Sequence, residues 1–509
     1  MRSFRLLFAI LAFAALAAPL AAQDRPPDRP ARAAQQQGKP GDDAPHGPGV
    51  LRLLPPDSST DQEIKLGGRT LAYTATAGTL TLFDGSGEKL AQVFYTAYVA
   101  KGGDGAKRPV TFAFNGGPGA ASAYINLGFA GPRIADFGPD GRDGAAAKLA
   151  DNPDCWLGFT DLVMIDPIGT GWSRTAKPDD AKNFWSINGD ANVMAKVISL
   201  YVAKNSRAAS PKYLLGESYG GFRSAKVARA LQTDQGIVVS GIVMVSPLLE
   251  ASFLWGQQNA LGTALRLPTI VAAHLEQTKK FTPQALAEAE RFAMNEYLIA
   301  LAGKPLAGDA AKAFYNRVAE MTGVPLDVVT RSRGAVSFPA YMDSGRAQGQ
   351  SMSNYDANFR TPDPFPERSR SGGDDPILDG FTRALAGLFV GYARDELGFK
   401  TDMTYNLLAH EVSSKWEWGD RREPPGVSGD LRELLSLNPS FRLLVAHGRT
   451  DLVTPYGVSR YVLDHVPSDL GGRDRTRLAV YRGGHMFYFD ATSRRAFTGD
   501  VKAFYQAEP

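Results

Sequence analysis

The sequence predicts an α/β protein whose central sheet is mostly parallel, with an antiparallel edge at the N-terminal end and an inserted, mainly helical cap. Short apolar runs have the length and composition of buried strands, and stretches with helical periodicity lie between some of them. This alternation is typical of a parallel sheet covered by helices on both faces. The buried strands are expected at residues 110–114, 161–165, 212–215 and 242–245, and two of the helices at residues 191–202 and 221–231.

The antiparallel edge is predicted ahead of the first buried strand. Residues 71–75, 79–83 and 93–99 alternate apolar and polar side chains, which is the pattern of strands with one buried face. A Gly-rich turn at residues 84–87 separates the second run from the third. Strands joined by such short turns pair in antiparallel fashion, so they are expected at the sheet edge.

The strand–helix alternation is interrupted between residues 251 and 425. Helices are predicted at residues 283–301 and 310–321, and a polar stretch rich in Ser, Gly and Pro predicts a long loop at residues 344–375. The predicted organisation is therefore a core in two parts, residues 50–250 and 426–509, with the cap inserted at residues 251–425. The second part of the core is expected to hold a helix at residues 429–437 and strands at residues 441–446 and 477–481.

The N-terminus has the pattern of an export signal. Arg2 and Arg5 supply positive charge, residues 6–16 form a short apolar run, and cleavage is expected after Ala22. Residues 1–22 are therefore predicted to be a signal peptide, the alternative being an uncleaved N-terminal anchor. Residues 23–49, rich in Pro, Gln and Gly with few large apolar side chains, predict a flexible linker.

Composition excludes several classes of function. A formal net charge of +3 gives no electrostatic reason to expect nucleic acid as a partner, or a membrane once the signal is cleaved. The six histidines are scattered without metal-ligand spacing, and no phosphate-binding glycine loop is present, so neither a metal nor a cofactor is expected. Cys155 is the only cysteine, which rules out an internal disulfide. The expected location is periplasmic or extracellular, in a bacterium; the oligomeric state stays open.

The clearest local motif is G-x-S-x-G at residues 216–220, directly after the strand predicted at residues 212–215 and directly before a helix. A sharp turn between strand and helix exposes the serine hydroxyl at the carboxyl edge of a sheet, and glycines prevent clashes around it. Ser218 is therefore the candidate nucleophile. This placement is typical of the α/β-hydrolase fold.

A serine hydroxyl needs a base, and the base needs an acid to orient it. His485 lies in a Gly-rich loop after the strand predicted at residues 477–481, where this fold presents its base. Asp451 follows the strand predicted at residues 441–446 and comes between serine and histidine in the sequence, in the order of this fold. His447 and Asp166 are the competing residues, and both are assigned structural roles.

Residues 115–119, Asn-Gly-Gly-Pro-Gly, follow the strand predicted at residues 110–114, where the same fold places an oxyanion-binding loop. Glycines allow the backbone amides to turn toward a substrate. The amides of Gly117 and Tyr219 are predicted to form the oxyanion hole, the alternative being a plain Gly-Pro turn.

Together these motifs resemble the serine carboxypeptidase family (peptidase family S10), in particular its bacterial exported branch. The resemblance is carried by residues 115–119, 166–173, 216–220, Asp451 and residues 484–486. It implies release of single residues from peptide C-termini through an acyl-enzyme. It also implies that Asn115, Gly116 and Glu217 hold the terminal carboxylate of the substrate. Because two carboxylates hydrogen bond only when one is protonated, Glu217 would need a raised pKa, and activity is expected to be favoured at acidic pH.

The sequence departs from the eukaryotic members of that family at three positions. Phe129 stands where they carry a second acidic residue, Ala113 where they carry tryptophan, and Ala120 where they carry a disulfide cysteine. The first two weaken the expectation of strict exopeptidase action. An esterase or acyltransferase with the same triad, and a non-catalytic exported binding protein, are the alternatives.

Overall fold

A long mixed sheet crosses the protein. The computed structural model describes residues 49–102, 105–138, 140–255, 259–367, 375–420, 422–471 and 475–507. The predicted signal peptide and all but the last residue of the predicted linker lie outside these ranges. Within them, ten strands form the main sheet, and two small antiparallel pairs lie apart from it.

The strands have the following bounds: β1 Ser58–Leu66, β2 Arg69–Phe83, β3 Lys89–Ala100, β4 Val110–Phe114, β5 Arg133–Asp136, β6 Lys148–Asp151, β7 Asp161–Ile165, β8 Arg174–Thr175, β9 Lys212–Glu217, β10 Gly241–Val245, β11 Gln350–Met352, β12 Arg360–Pro362, β13 Arg442–Gly448 and β14 Thr476–Tyr481. The α-helices have these bounds: α1 Ala123–Ile125, α2 Ile187–Lys204, α3 Tyr219–Asp234, α4 Ala260–Gln277, α5 Pro283–Phe292, α6 Leu298–Ala302, α7 Gly308–Thr322, α8 Leu326–Arg331, α9 Phe338–Arg346, α10 Ala384–Asp395, α11 His410–Ser414, α12 Ser428–Leu437, α13 Tyr456–Asp464 and α14 Ala491–Gln506.

The main sheet has the order β1-β2-β3-β7-β4-β9-β10-β13-β14, and β8 pairs with β3. The pairs β1/β2, β2/β3 and β3/β7 are antiparallel. Every later pair along this order, from β7/β4 to β13/β14, is parallel. The predicted fold class, a mostly parallel sheet with an antiparallel N-terminal edge, is confirmed. One detail was wrong: the two runs at residues 71–75 and 79–83 belong to a single strand, β2, which continues through Gly78.

Apolar composition explains why the middle of the sheet is covered on both faces. Every residue of β4, β7, β9 and β10 is buried. The long helices α2 and α3 belong to the apolar cluster on one face, whereas α10 and α14 contribute to the cluster on the other. A strand with two buried faces reads as a continuous apolar run, which is why these four strands were predictable.

The stretch between β10 and β13 is mainly helical, and α4 to α9 share an apolar cluster of their own. The predicted loop at residues 344–375 is partly wrong: α9 continues to Arg346, and β11 and β12 pair within this stretch. The boundaries of the cap at residues 251 and 425 stay a prediction. In the described parts of the chain, no helix is both long and apolar enough to cross a bilayer.

Candidate active site

Ser218 lies at the sharp turn between β9 and α3. Its φ is +59° and its ψ −124°, a conformation that non-glycine residues rarely adopt. The turn is held because the Ser218 amide donates to the carbonyl of Val245 at 2.9 Å. A Cβ at Gly221 would lie 2.5 Å from the Cβ of Pro247, so a side chain there would push the turn away from the loop after β10. The surrounding residues therefore hold Ser218 in its strained backbone conformation, as expected for a reactive residue.

Asp451 and His485 form a buried pair. Asp451 Oδ2 lies 2.8 Å from His485 Nδ1. The other carboxylate oxygen accepts hydrogen bonds from the amides of Val453 at 2.8 Å and Thr454 at 3.0 Å. The Thr454 hydroxyl lies 2.8 Å from Asp451 Oδ2 and 3.1 Å from His485 Nδ1. These contacts fix the carboxylate, which in turn orients the ring and favours the tautomer with hydrogen on Nδ1.

The charge state of His485 is set by opposing effects. Burial disfavours the imidazolium, but the carboxylate of Asp451, with a smaller contribution from Glu217, outweighs burial and raises the pKa of His485 above its usual value. A histidine of this kind is a stronger base than a free imidazole, and its cation is stabilised once formed.

Ser218 and His485 are connected through the loop that follows β10. Ser246 comes directly after Val245, and its hydroxyl donates to the carbonyl of His485 at 2.8 Å. The carboxyl ends of β9, β10, β13 and β14 thus meet at one edge of the sheet. In the described residues no hydrogen bond joins the Ser218 hydroxyl to the His485 ring. Such bonds are often long in unliganded enzymes and shorten when substrate binds.

The loop at residues 115–119 packs directly on the turn that carries Ser218. A Cβ at Gly116 would lie 2.5 Å from the Tyr219 nitrogen and 2.6 Å from the carbonyl oxygen of Glu217, so only glycine fits there. Gly117 has φ +98°, which also favours glycine. Tyr219 is the first residue of α3, so its amide has no acceptor within the helix. The two predicted oxyanion amides therefore belong to segments in close contact.

A buried ion pair supports this loop, and sequence reasoning missed it. Arg223, on the first turns of α3, is fully buried, and its Nε donates to Asp190 Oδ2 at 2.6 Å. Its Nη1 donates to the carbonyl oxygen of Asn115. The same helix also carries Lys226 and Arg229, so the sequence pattern did not single out Arg223 as the buried cation.

Glu217, the residue before the serine, is buried next to this loop. The Asn115 side-chain amide donates to Glu217 Oε2 at 2.6 Å, and the Tyr488 hydroxyl donates to Glu217 Oε1 at 2.9 Å. Asn115 Oδ1 accepts from the amide of Ile125 at 3.0 Å, which fixes the amide with its NH₂ group toward Glu217. Burial raises the pKa of Glu217 to about 7, although His485 and the two hydrogen bonds oppose the shift. Asn115, Gly116 and Glu217, predicted to act together, are adjacent in the structure.

Tyr488 was also missed by the sequence reasoning. It lies three residues after His485, within an aromatic run at residues 487–489. Phe129 is completely buried, and its ring lies 4.7 Å from that of Tyr488. The other two positions that depart from the eukaryotic pattern are also buried: Ala113 lies in β4 and Ala120 forms an isolated bridge with Leu408.

The segment between β11 and β12 contacts the loops of both Asp451 and His485. The His485 amide donates to the Tyr355 carbonyl at 2.5 Å, and the amides of Ala357 and Leu452 form bonds of 3.0 and 3.1 Å across the same interface. The Thr450 hydroxyl donates to Asp356 Oδ1 at 2.7 Å. A stretch expected to be a loop of the cap is thus part of the wall of the site.

The two competing residues, His447 and Asp166, each form a hydrogen bond with a serine other than Ser218. His447 was expected just after its strand, but β13 extends to Gly448 and includes it. Its Nε2 lies 2.8 Å from the Ser459 hydroxyl, and burial lowers its pKa to about 4. Asp166 Oδ1 accepts from the amide and hydroxyl of Ser122, at 2.8 and 2.6 Å. In the described ranges, no group of three or more His, Cys, Asp or Glu side chains is arranged to hold a metal ion.

Comparison with known proteins adds a sequence match to this geometry. Residues 74–251 match the serine carboxypeptidase family, Peptidase_S10. The chain is 29% identical over 137 residues to carboxypeptidase sxa2 of Schizosaccharomyces pombe, which is 26% of this chain and 25% of that protein. It is 29% identical over 151 residues to a carboxypeptidase Y homolog of Arthroderma benhamiae, 29% of this chain and 28% of the relative. The matches thus span little more than a quarter of either relative.

Among solved structures, the fold resembles that of Kex1(delta)p, a prohormone-processing carboxypeptidase from Saccharomyces cerevisiae. The TM-score is 0.54 with 16% identity, over 85% of this chain and 91% of that one. The chain has the α/β-hydrolase fold.

Proposed function

We propose that the protein is a serine-type carboxypeptidase that releases C-terminal residues from peptides through an acyl-enzyme. Ser218 is the nucleophile, His485 the general base and Asp451 the acid that orients it. The observation that carries the proposal is Glu217: a buried carboxyl group beside the serine, bonded to Asn115, with a pKa near neutrality. The family match over residues 74–251 supports the same reaction.

In the first half-reaction, His485 removes the hydroxyl proton of Ser218 as the oxygen attacks the carbonyl of the last peptide bond. Asp451 stabilises the imidazolium that results. The amides of Gly117 and Tyr219 donate to the oxyanion of the tetrahedral intermediate. Loss of one such donor costs roughly 10²–10³ in rate. The proton then passes from His485 to the leaving amine, and the C-terminal residue departs.

In the second half-reaction, water attacks the acyl-enzyme with His485 again as base, and Ser218 is regenerated. The substrate's terminal carboxylate lies against Asn115, Gly116 and Glu217. A protonated Glu217 donates to that carboxylate, whereas an ionised one repels it. Binding is therefore favoured at acidic pH, below the pKa of Glu217, whereas the chemical step needs neutral His485 and is lost as that residue becomes protonated.

The test compares a blocked dipeptide that has a free C-terminal carboxylate with its C-terminal amide. The carboxypeptidase should cleave the former and leave the amide nearly untouched, since the amide cannot bind Glu217 as a carboxylate does. A fluorophosphonate should label Ser218 and stop the reaction, and Ser218→Ala should be inactive. Equal cleavage of both compounds, or hydrolysis of simple esters alone, would favour an esterase or acyltransferase. Failure of the probe to label Ser218, with no turnover, would indicate a binding protein.

We also propose that the protein is bacterial and is exported to the periplasm or to the extracellular space. The support is the pattern of residues 1–22. Mass spectrometry of the N-terminus after secretion should find a chain that begins at Gln23. A chain that retains Met1, or that stays in the cytoplasm, would contradict the proposal.

A further inference from the structure

Each oxygen of the Glu217 carboxyl group accepts one hydrogen bond. Oε1 accepts from the Tyr488 hydroxyl and Oε2 from the Asn115 amide, at 2.9 and 2.6 Å. Glu217 and Tyr488 are 2% and 0% exposed. Both donors are neutral groups, so each can donate to the carboxyl group in either of its charge states. The carboxyl group is thus held at both oxygens by residues from two different loops.

We propose that Tyr488 is a positioning residue that fixes the carboxyl group of Glu217 beside Asn115, so that Glu217 takes up a proton and captures the substrate carboxylate in one orientation. This inference rests on the proposed function and assigns a role to a residue outside the triad, the oxyanion hole and the carboxylate-binding set.

The orientation of the carboxyl group follows from the hydrogen-bond geometry. The Tyr488 hydroxyl holds Oε1 and the Asn115 amide holds Oε2, so the carboxyl group cannot rotate freely about its bond to the rest of the side chain. The group is thereby kept beside Asn115 and Gly116, the two other groups proposed to hold the terminal carboxylate.

The proton balance is simple. When Glu217 is ionised, the incoming carboxylate binds together with one proton from solvent, which protonates the Glu217 carboxylate. That hydrogen is then donated to the substrate anion, and no covalent bond of the substrate changes. Tyr488 keeps its own hydrogen throughout. Two carboxylates can therefore lie side by side without repulsion.

Other groups also face Glu217, and they set the background on which Tyr488 acts. His485 stabilises the ionised form, whereas Asp451 disfavours it. The phenols of Tyr124, on α1, and Tyr355, between β11 and β12, both interact electrostatically with Glu217. None of these four has a hydrogen bond to Glu217 in the described residues, so Tyr488 alone fixes Oε1.

Packing explains why the tyrosine is in place. Phe129 contacts the Tyr488 ring from one side, at a centroid distance of 4.7 Å, and Phe489 lies at 4.9 Å. A ring held in this way presents its hydroxyl in one direction. Tyr488→Phe should therefore remove one oxygen atom while the aromatic cluster keeps its shape.

The test measures Tyr488→Phe against Tyr456→Phe. Tyr456 is a matched control because it is also buried and donates to a glutamate, Glu290, at 2.8 Å in the helical region. For a dipeptide with a free carboxylate, at the pH of maximal activity, Tyr488→Phe should raise KM by roughly 3–10-fold, the loss expected for one hydrogen bond. The kcat should change by less than about twofold. Tyr456→Phe should alter neither constant.

The pH dependence gives a second readout, since the Tyr488 bond favours the ionised form of Glu217. Its loss should move the alkaline limb of kcat/KM upward by about 0.5–1 pH unit. Replacing Tyr488 with a ring-fluorinated tyrosine, a stronger donor of the same shape, should move the limb downward. This replacement also serves if Tyr488→Phe fails to fold. A limb that stays in place in both variants, with KM unchanged, would overturn the proposal.

The carboxylic acid band of Glu217 in the infrared spectrum separates this inference from the proposed function. The band is identified by its loss in Glu217→Gln, and its titration needs no substrate. If the wild-type protein cleaves no peptide, the proposed function is wrong. A titration midpoint that rises in Tyr488→Phe would still support the role of Tyr488 in holding Glu217, whereas an unshifted midpoint would refute it.

Discussion

Replacement of Glu217 by glutamine is the perturbation whose outcome the structure predicts in most detail. Glutamine keeps the size of the side chain and remains able to donate to a carboxylate, but it does not titrate. Burial raises the pKa of Glu217 from 4.5 to about 7. A shift of this size corresponds to about 3 kcal/mol between the two protonation states.

The wild-type activity should therefore have an alkaline limb near neutrality. In the proposed mechanism only protonated Glu217 binds the substrate carboxylate, so kcat/KM should fall about tenfold per pH unit above about pH 7. On the acid side, activity should fall as His485 becomes protonated, since its neutral form is the base. Glu217→Gln should remove the alkaline limb and leave the acid one.

The assay is kcat/KM for a blocked dipeptide from about pH 5 to about pH 9. Glu320→Gln, an exposed glutamate on α7, is the matched control and should retain both limbs. The same substitution tests stability. Because the folded pKa of Glu217 is raised, the wild type loses stability as pH rises from about 4.5 to about 7, by up to about 3 kcal/mol. Urea unfolding of Glu217→Gln should lack this slope. An alkaline limb that persists in Glu217→Gln would show that another group controls it, and the reasoning would fail.

Three further substitutions have defined outcomes. Gly116→Ala should lower kcat roughly 10²-fold or more with folding retained, because its Cβ would lie 2.5 Å from the Tyr219 nitrogen and displace the loop. Arg223→Met should lower the free energy of unfolding by about 3–5 kcal/mol in urea titrations, since it leaves the Asp190 carboxylate buried without its partner. His447→Gln should remove the part of the wild-type protein's acid sensitivity that comes from this buried histidine, measured as the free energy of unfolding. The pKa of His447 falls from 6.5 to about 4 on folding, so the wild type is destabilised as pH drops through this range, by up to about 3 kcal/mol.

Each of these has an outcome that contradicts it. Full activity of Gly116→Ala would mean that the loop does not need its close approach to the turn. An Arg223→Met protein as stable as the wild type would mean that the ion pair contributes nothing. Equal acid sensitivity of His447→Gln and wild type would assign that sensitivity to other buried groups.

Local patterns carried most of what the sequence could predict. The central strands were predictable because their apolar runs are short and buried on both faces. The turn at Ser218 was predictable because Gly216 and Gly220 lie two residues to either side of the serine. The sequence prediction divided β2 into two strands because Gly78 interrupts its alternation, but β2 pairs with β3 continuously across this glycine. β13 was ended too early because His447, a polar residue, is buried within it.

Contacts between distant parts of the chain could not be predicted from the sequence. Tyr488 meets Glu217 across 271 residues, and Arg223 meets Asn115 across 108. No periodicity or motif encodes such a pairing, because it arises from the packing of whole elements. The pairing of β11 with β12 was missed for a related reason: the polar, Gly-rich composition of its surroundings is that of a loop, and the backbone bonds to the catalytic loops compensate for the missing apolar residues.

The bonds from residues 354–357 to the loops of Asp451 and His485 limit how the site opens. A hinged lid that swung away with this segment would remove the carbonyl that the His485 amide needs and would unseat the base at the moment of substrate entry. In the proposed carboxypeptidase, a peptide would therefore enter while residues 354–357 stay bound to these loops. Proteolytic cleavage within this segment should abolish the proposed peptidase activity and should not broaden its substrate range.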